Sequence, residues 1–220
     1  MKKLTFIALA TTSALAFSQA HAEDFYGHVF GGVTNNPSTT FSGNIGGAPQ
    51  TVDTSFRQGA NFGLAIGRSF GEGLRGEIEL SRSNNGADTV DFSGNGVGNE
   101  ANVSGGVNTT SLFANAFFDF DTGSGFKPYV GAGLGISAVD QNVVYGPNVR
   151  IVDTDNTFAA QIIIGSAYKL GNGVDLTLDG RYSRAFNVEG RRLNGAGALT
   201  GNVESDIDNF SINAGIRFGF

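Results

Sequence analysis

The chain has 220 residues, including 34 glycines, no cysteine and no tryptophan, and its formal net charge is −6. The acidic balance argues against nucleic acid as a partner, and the lack of cysteine excludes disulfide bonds. No apolar run beyond residue 22 approaches the 18 residues of a membrane-spanning helix. Stability must therefore come from a single fold held together without covalent cross-links.

The first residues have the pattern of a secretory signal peptide. Lys2 and Lys3 precede the apolar run Leu4–Phe17, and Ala20-His21-Ala22 provides a small-x-small cleavage site. We expect residues 1–22 to be removed and residues 23–220 to form one domain. Loss of the two lysines takes the net charge from −6 to −8.

Eight later segments alternate apolar and polar residues with a period of two, which is the pattern of β-strands. In chain order they are Asp24–Thr34, Arg57–Phe70, Leu74–Ser83, Thr109–Phe120, Lys127–Val139, Thr157–Leu170, Val174–Arg184 and Ile207–Phe220. The last segment is the clearest, because every second residue from Phe210 to Phe220 is apolar and the residues between them are small or polar. Successive side chains of a strand point to opposite faces, so each segment has one apolar and one polar face.

The connections between these segments alternate in length. The long ones are polar and rich in glycine and asparagine, and comprise Asn35–Phe56, Asn84–Asn108, Asp140–Asn156 and Ala185–Asp206. The short ones are Gly71–Gly73, Asp121–Phe126 and Gly171–Gly173. Outer-membrane barrels have short periplasmic turns and longer external loops. The sequence therefore predicts an all-β fold, an eight-stranded antiparallel up-and-down transmembrane β-barrel.

The predicted outward faces fit a lipid environment. Between the rims, the outward rows of strands two to eight carry no charged residue, as expected because a lysine or arginine at the bilayer midplane costs roughly 2–4 kcal/mol. The strands that run inward end in outward aromatic residues, which predicts a periplasmic girdle of Phe70, Phe118, Phe120, Tyr168, Phe218 and Phe220.

Eight charged residues fall on the opposite, lumen-facing parity. They are Arg75, Glu77, Glu79, Asp119, Asp175, Asp179, Arg181 and Arg217. An eight-stranded barrel has an interior just wide enough to be filled by side chains, and buried charges are strongly disfavoured unless they are paired. The pattern favours a structural salt-bridge plug, with a narrow pore that these charges line or gate as the alternative.

Arg82 and Arg184 lie on outward parity near the external rim. Arginine is suited to lipopolysaccharide phosphates because its planar fork donates two parallel hydrogen bonds. The alternative is that both side chains simply extend to the membrane interface.

The sequence gives little support to catalysis or to a bound cofactor. His28 is the only histidine beyond the signal peptide, whereas a hydrolase would need a nucleophile, a histidine and an acid. The glycine run Gly131–Gly135 lies within a strand, without the helix that a nucleotide site requires. Asp153–Thr157 begins like a calcium loop, but Phe158 stands where the turn glycine is required. We expect no enzyme activity, no cofactor and no metal site.

The chain resembles the small eight-stranded outer-membrane barrels, the porin-like family that includes the OmpA transmembrane domain and OmpX. The resemblance is carried by Lys127–Gly135, Glu77–Leu80, Arg181–Ser183 and Ile216–Phe220. It implies export to the outer membrane of a Gram-negative bacterium, contact with outer-membrane lipid and lipopolysaccharide, and recognition of Ile216, Phe218 and Phe220 by the barrel-assembly machinery. The periplasmic domain of OmpA is not expected here, since the chain stops at the last strand.

The expected function is that of a monomeric structural surface protein, a membrane scaffold that presents four polar loops. A narrow channel for small solutes is one alternative. An adhesin or ligand-recognition protein acting through the four loops is the other, because function on rigid barrels commonly resides in loops.

Overall fold

The computed structural model describes residues 25–37, 39–45, 48–93, 103–145 and 149–220. The predicted signal peptide, residues 1–22, lies outside these ranges. These ranges contain ten strands: β1 (Phe25–Asn35), β2 (Thr39–Ile45), β3 (Ala48–Phe56), β4 (Gly59–Gly71), β5 (Leu74–Ser93), β6 (Ser104–Asp119), β7 (Phe126–Tyr145), β8 (Val149–Gly171), β9 (Val174–Leu193) and β10 (Leu199–Gly219). Across these ranges, no helix is long and apolar enough to cross a membrane.

The ten strands form a closed antiparallel barrel that has eight strands around its circumference at membrane level. At membrane level β1 pairs with both β4 and β10, and the ring continues through β5, β6, β7, β8 and β9. β2 follows β1 and β3 leads into β4, and both β2 and β3 lie within the predicted first long connection, Asn35–Phe56. The predicted fold class is confirmed.

Two periplasmic turns share one backbone geometry. Glu72 and Asn172 both have φ of 51°, and the glycines that follow them, Gly73 and Gly173, have φ of 81° and 73°. Positive φ at both central residues defines the type I′ hairpin turn, which glycine and asparagine favour. These turns connect β4 to β5 and β8 to β9 at the positions of the predicted short connections, Gly71–Gly73 and Gly171–Gly173.

The four long connections are not loops over most of their length, and this part of the sequence prediction is wrong. β5 continues from the expected end at Ser83 to Ser93, and β7 continues to Tyr145, opposite Val149 of β8. β2 and β3 form a hairpin inside the predicted first loop, and this hairpin fills the space between β5 and β10. The barrel wall therefore extends well beyond the membrane as an outer extension.

Exposure divides the wall into two levels. At membrane level the outward side chains form an exposed apolar band, with Phe62 60 %, Ile164 68 % and Leu178 57 % exposed. In the outer extension the outward side chains are polar, as for Asp140 and Asn142 of β7 and Glu189 of β9. The band is the surface that lipid covers, and the extension is the surface that meets water.

Candidate functional site

The barrel interior at membrane level contains all eight predicted lumen charges. Arg181 is at the centre of this ion-pair layer and is 4 % exposed. Its Nη1 donates to Oε2 of Glu79 over 2.6 Å, and its Nε donates to Oδ1 of Asp179 over 2.7 Å. The guanidinium also stacks 3.8 Å from the centroid of Phe30. One buried cation thus pairs with two buried carboxylates from different strands.

Neutral side chains complete the coordination of these carboxylates. Oε2 of Glu79 also accepts hydrogen bonds from Asn115 over 3.0 Å and Gln161 over 3.4 Å. Asp179 accepts from Tyr129 and Asn213, each over 3.1 Å. Buried charges are stable only when such donors satisfy their remaining lone pairs. These donors were not among the predicted site residues, although the alternation in the sequence places them on the lumen-facing side of their strands.

Arg75 and Arg217 form the periplasmic side of the layer. Nε of Arg75 donates to both carboxylate oxygens of Asp119 over 3.0 Å, and its guanidinium carbon lies 3.8 Å from the centroid of Phe117. Arg217 binds Oδ2 of Asp175 over 2.8 Å and approaches Asp119 at 3.8 Å. These pairs line a periplasmic mouth of about 310 Å³, to which Lys127 and Lys169 add two further cations.

Glu77 differs from the other carboxylates of the layer. It is 4 % exposed, yet neither of its carboxylate oxygens has a hydrogen-bond partner within the described ranges. Nδ1 of His28 lies 3.7 Å from Glu77 and Nη1 of Arg75 lies 3.6 Å away, both too far for a hydrogen bond. The five carboxylates of the layer face only three guanidiniums, and Glu77 is the carboxylate that accepts no hydrogen bond, although Arg75 and His28 lie within ion-pair distance.

His28 also contacts Thr177, whose hydroxyl lies 3.1 Å from its Nε2. Thr177, His28 and Glu77 thus follow the order of a nucleophile, a base and an acid. All three side chains are buried, and the periplasmic mouth is lined by other residues. The arrangement therefore offers a substrate no approach from the mouth.

The outer extension has an interior of the opposite kind. Its outer core consists of Phe41, Phe56, Ala87, Val103, Val107, Val139, Val143, Ile151, Ala185, Val188, Val203 and Ile207. Val139, Val143, Ile151 and Val188 are completely buried. Between the outer core and the ion-pair layer lies a cavity of about 30 Å³ whose lining includes six serines, a volume that can hold water. Side chains thus fill the lumen at two levels, above and below this cavity.

The predicted lipopolysaccharide contacts differ in their surroundings. Arg184 donates two hydrogen bonds to Asp208, over 2.6 and 2.8 Å, and the hydroxyl of Tyr182 donates to the same carboxylate. The hydrogen bonds from Arg184 hold the pKa of Asp208 below its usual value, against the opposing effect of partial burial. Arg82 is exposed on the opposite side of the barrel. Phosphate binding stays a prediction, and Arg184 would have to leave Asp208 to take part in it.

Ile216, Phe218 and Phe220 are exposed on the outward face at the periplasmic end of the chain. Recognition by the barrel-assembly machinery stays a prediction. The glycine run serves packing, because a Cβ on Gly131 would lie 2.4 Å from the ring of Phe117. Within the described ranges, no group of three or more histidine, aspartate or glutamate side chains is placed to hold a metal ion.

Comparison with known proteins identifies the family. The sequence model described as "Outer membrane protein beta-barrel domain" matches residues 4–218. The outer membrane protein PagN of Salmonella typhimurium is 28 % identical over 92 residues, which span 40 % of this chain and 38 % of PagN. The chain therefore aligns with well under half the length of this relative.

Two solved structures have a similar fold. Neisserial surface protein A (NspA) is 18 % identical with a TM-score of 0.53, and the match covers 89 % of this chain and 97 % of NspA. The outer membrane protease OmpT from Escherichia coli is 9 % identical with a TM-score of 0.57, covering 90 % of this chain and 97 % of OmpT. At these identities the likeness concerns the fold alone. Because the family model matches nearly the whole sequence, the chain belongs to the outer membrane protein beta-barrel domain family and is a protein of the Gram-negative outer membrane.

Proposed function

We propose that this protein is a non-enzymatic surface protein with a closed lumen, a rigid scaffold that presents the connections at the tip of its outer extension. The observation that carries this proposal is the double closure of the interior. At membrane level, paired and hydrogen-bonded charges fill the lumen, and beyond the membrane the lumen is filled by the outer core. A solute crossing the barrel would have to displace both layers.

The geometry favours the scaffold over a channel. A conducting pore needs sites that an ion can enter and leave readily. Here Arg181 is bound to two carboxylates, and beyond the membrane the interior is filled mainly by the apolar outer core, which encloses only isolated buried polar side chains such as Gln141 in the described ranges. NspA is named a surface protein, which is in keeping with this role, and OmpT, named a protease, has only 9 % identity.

Single-channel recording in a planar bilayer tests this proposal. Refolded residues 23–220 should give a silent bilayer, with insertion established by the difference in gel mobility between boiled and unboiled samples. Arg217→Ala should lower the thermal stability without producing conductance, because the outer core still seals the lumen. Steady discrete openings of the wild type would overturn the closed scaffold and favour the narrow pore.

Recognition through the outer tip is the second candidate, supported by the rigidity of the extension. The β9–β10 connection is an ordered turn in which the side chain of Asn194 accepts hydrogen bonds from the backbone N–H of Ala196 and Ala198. A preformed tip loses little conformational entropy on binding. Replacing residues 194–198 by a Gly-Ser linker should preserve folding in either case. Loss of binding to host cells would favour an adhesin, and unchanged binding would count against this tip as the contact.

A further inference from the structure

The apolar band has an open groove on the outer face of β7 to β10, with a volume of about 430 Å³. Its floor is Gly180, and its walls include Val130, Ile162, Ile164, Tyr182 and Phe210. The strand register explains the shape. Ile164 and Ile212 stand directly beside Gly180, and Ile162 and Phe210 stand beside Tyr182 one step higher. A residue without a side chain is thus surrounded by large apolar ones.

Two other lipid-facing glycines, Gly27 and Gly76, are covered by aromatic rings, whereas Gly180, like Gly31 on β1, is not. A Cβ on Gly27 would lie 2.5 Å from the ring of Phe218, and a Cβ on Gly76 would lie 3.2 Å from Phe70. Aromatic rings therefore fill the space above those two glycines. The nearest atom to a Cβ on Gly180 is a backbone oxygen of Ser211 at 4.0 Å, so the space above Gly180 is open to the surrounding lipid.

The groove faces the outer leaflet. Along the outward row of β9, Gly180 is followed by Tyr182 and then by Arg184, which ends the apolar band at the external rim. At about 3.3 Å per residue, Gly180 lies about 13 Å below Arg184 along the strand. The groove thus reaches upward to Tyr182, whose hydroxyl is held by Asp208 at the rim.

We propose that this groove binds one fatty acyl chain of lipopolysaccharide, the outer-leaflet glycolipid. The groove is continuous with the band that lipid covers, and its volume lies in the usual range of ligand sites, about 300–1,000 Å³. A chain lying in it contacts the floor at Gly180 and the flanking apolar side chains together, whereas a chain on the convex wall elsewhere contacts only protruding side chains, and dispersion contacts accumulate accordingly.

The groove recognises the acyl chain rather than the phosphate. The rim above the groove carries Asp206 and Asp208 against a single cation, Arg184, whose guanidinium is already bound to Asp208. This local excess of negative charge does not favour a phosphate. The site is therefore distinct from the predicted phosphate contact through Arg82 and Arg184.

Native mass spectrometry of the full mature chain in phospholipid nanodiscs containing a small fraction of lipid A tests the assignment. Wild type should retain one lipid A on release from the nanodisc. Gly180→Leu, whose side chain fills the groove, should reduce this retention at least five-fold. The matched control is Ala114→Leu, which adds three of the same four side-chain carbons on the outward face of β6 between Ile78 and Leu134, and it should retain lipid A like wild type.

Other outcomes would overturn the proposal. Equal retention by wild type and Gly180→Leu would show that lipid A binds elsewhere. Retention of phospholipid that falls in parallel with lipid A would show a groove for any acyl chain. A wild-type dimer that becomes monomeric in Gly180→Leu would identify a second copy of the chain as the occupant. Unboiled gel mobility verifies that each variant is folded, and a silent or conducting bilayer bears only on the closed lumen.

Discussion

The two halves of this barrel have opposite interiors within one continuous wall. Along β7 the inward side chains at membrane level include Tyr129 and Ser137, and the same inward row continues into Val139 and Val143 of the outer core. The outward row changes in the opposite sense, from Leu134 and other apolar residues to Asp140. The surrounding solvent accounts for the difference.

Lipid outside the membrane half removes the usual driving force for an apolar interior, because the apolar side chains are already out of water. The interior there can hold charges as long as they are paired. Water outside the extension restores that driving force, so the interior becomes apolar. The barrel is therefore one hydrogen-bonded cylinder stabilised by two different interactions, and each can be weakened separately.

The largest effect is expected from breaking the ion-pair layer at its centre. Arg181→Ala leaves Glu79 and Asp179 buried without their cation, which should lower the free energy of unfolding by about 3–5 kcal/mol. Urea unfolding of the refolded protein in liposomes measures this change. Combining Arg181→Met with Glu79→Gln and Asp179→Asn removes all three charges and should recover most of the loss. A triple variant as unstable as Arg181→Ala would show that the charges themselves are not the cause.

The outer core provides the second test. Ile151→Ala creates a cavity among completely buried side chains and should cost about 2–5 kcal/mol in the stability of the extension. Hydrogen exchange should accelerate at backbone amides around Val143 and Val188, while amides at membrane level keep their protection. Val152→Ala, the next residue of β8 and only partly buried, is the control and should change little. Equal acceleration at both levels would mean that the two halves unfold as one unit.

Glu77 and Glu79 allow a comparison inside the membrane half. Glu79 accepts hydrogen bonds from Arg181, Asn115 and Gln161, so Glu79→Gln should destabilise by about 1–3 kcal/mol. Glu77 accepts none in the described structure, and Glu77→Gln removes a buried charge without removing a hydrogen bond. We expect Glu77→Gln to be neutral or stabilising in the same urea assay. A loss as large as that of Glu79→Gln would contradict this distinction.

Glu77 and Glu79 also show how far the sequence could lead. Period-two alternation placed both on the lumen face. It also correctly predicted the eight membrane-level strands and their periplasmic ends. It could not distinguish their partners, because Arg181, Asn115 and Gln161 come from three other strands whose relative shift only the closed barrel fixes. The alternation along each strand therefore identifies which charged residues face the lumen, but it does not identify which of them form ion pairs.

The outer core was missed for a different reason. Val143 and Val188 lie in segments whose polar neighbours, such as Asp140 and Asn142, suggest loops. The alternation in fact continues there with the apolar residues moved from the outward to the inward row. If lipid is assumed to cover the outward face along the whole strand, a segment with polar outward and apolar inward residues is not recognised as a continuation of that strand. The shift of the apolar residues from the outward to the inward row indicates that water replaces lipid outside the barrel. This shift is the signal that could have predicted the extension.

The smallest effect is expected at the external rim, where Arg184 and Asp208 form a pair that is partly exposed. Arg184→Ala should cost less than about 1 kcal/mol at neutral pH, because solvent screens such pairs. The pKa of Asp208 is lowered in the folded state, so the pair stabilises above the unfolded pKa of about 3.9 and loses its effect as pH falls below it. The stability difference between wild type and Arg184→Ala, measured by urea unfolding from pH 7 downward, should therefore disappear in acid. A difference that persists at low pH would assign the role of Arg184 to packing of its aliphatic stem against the wall rather than to charge.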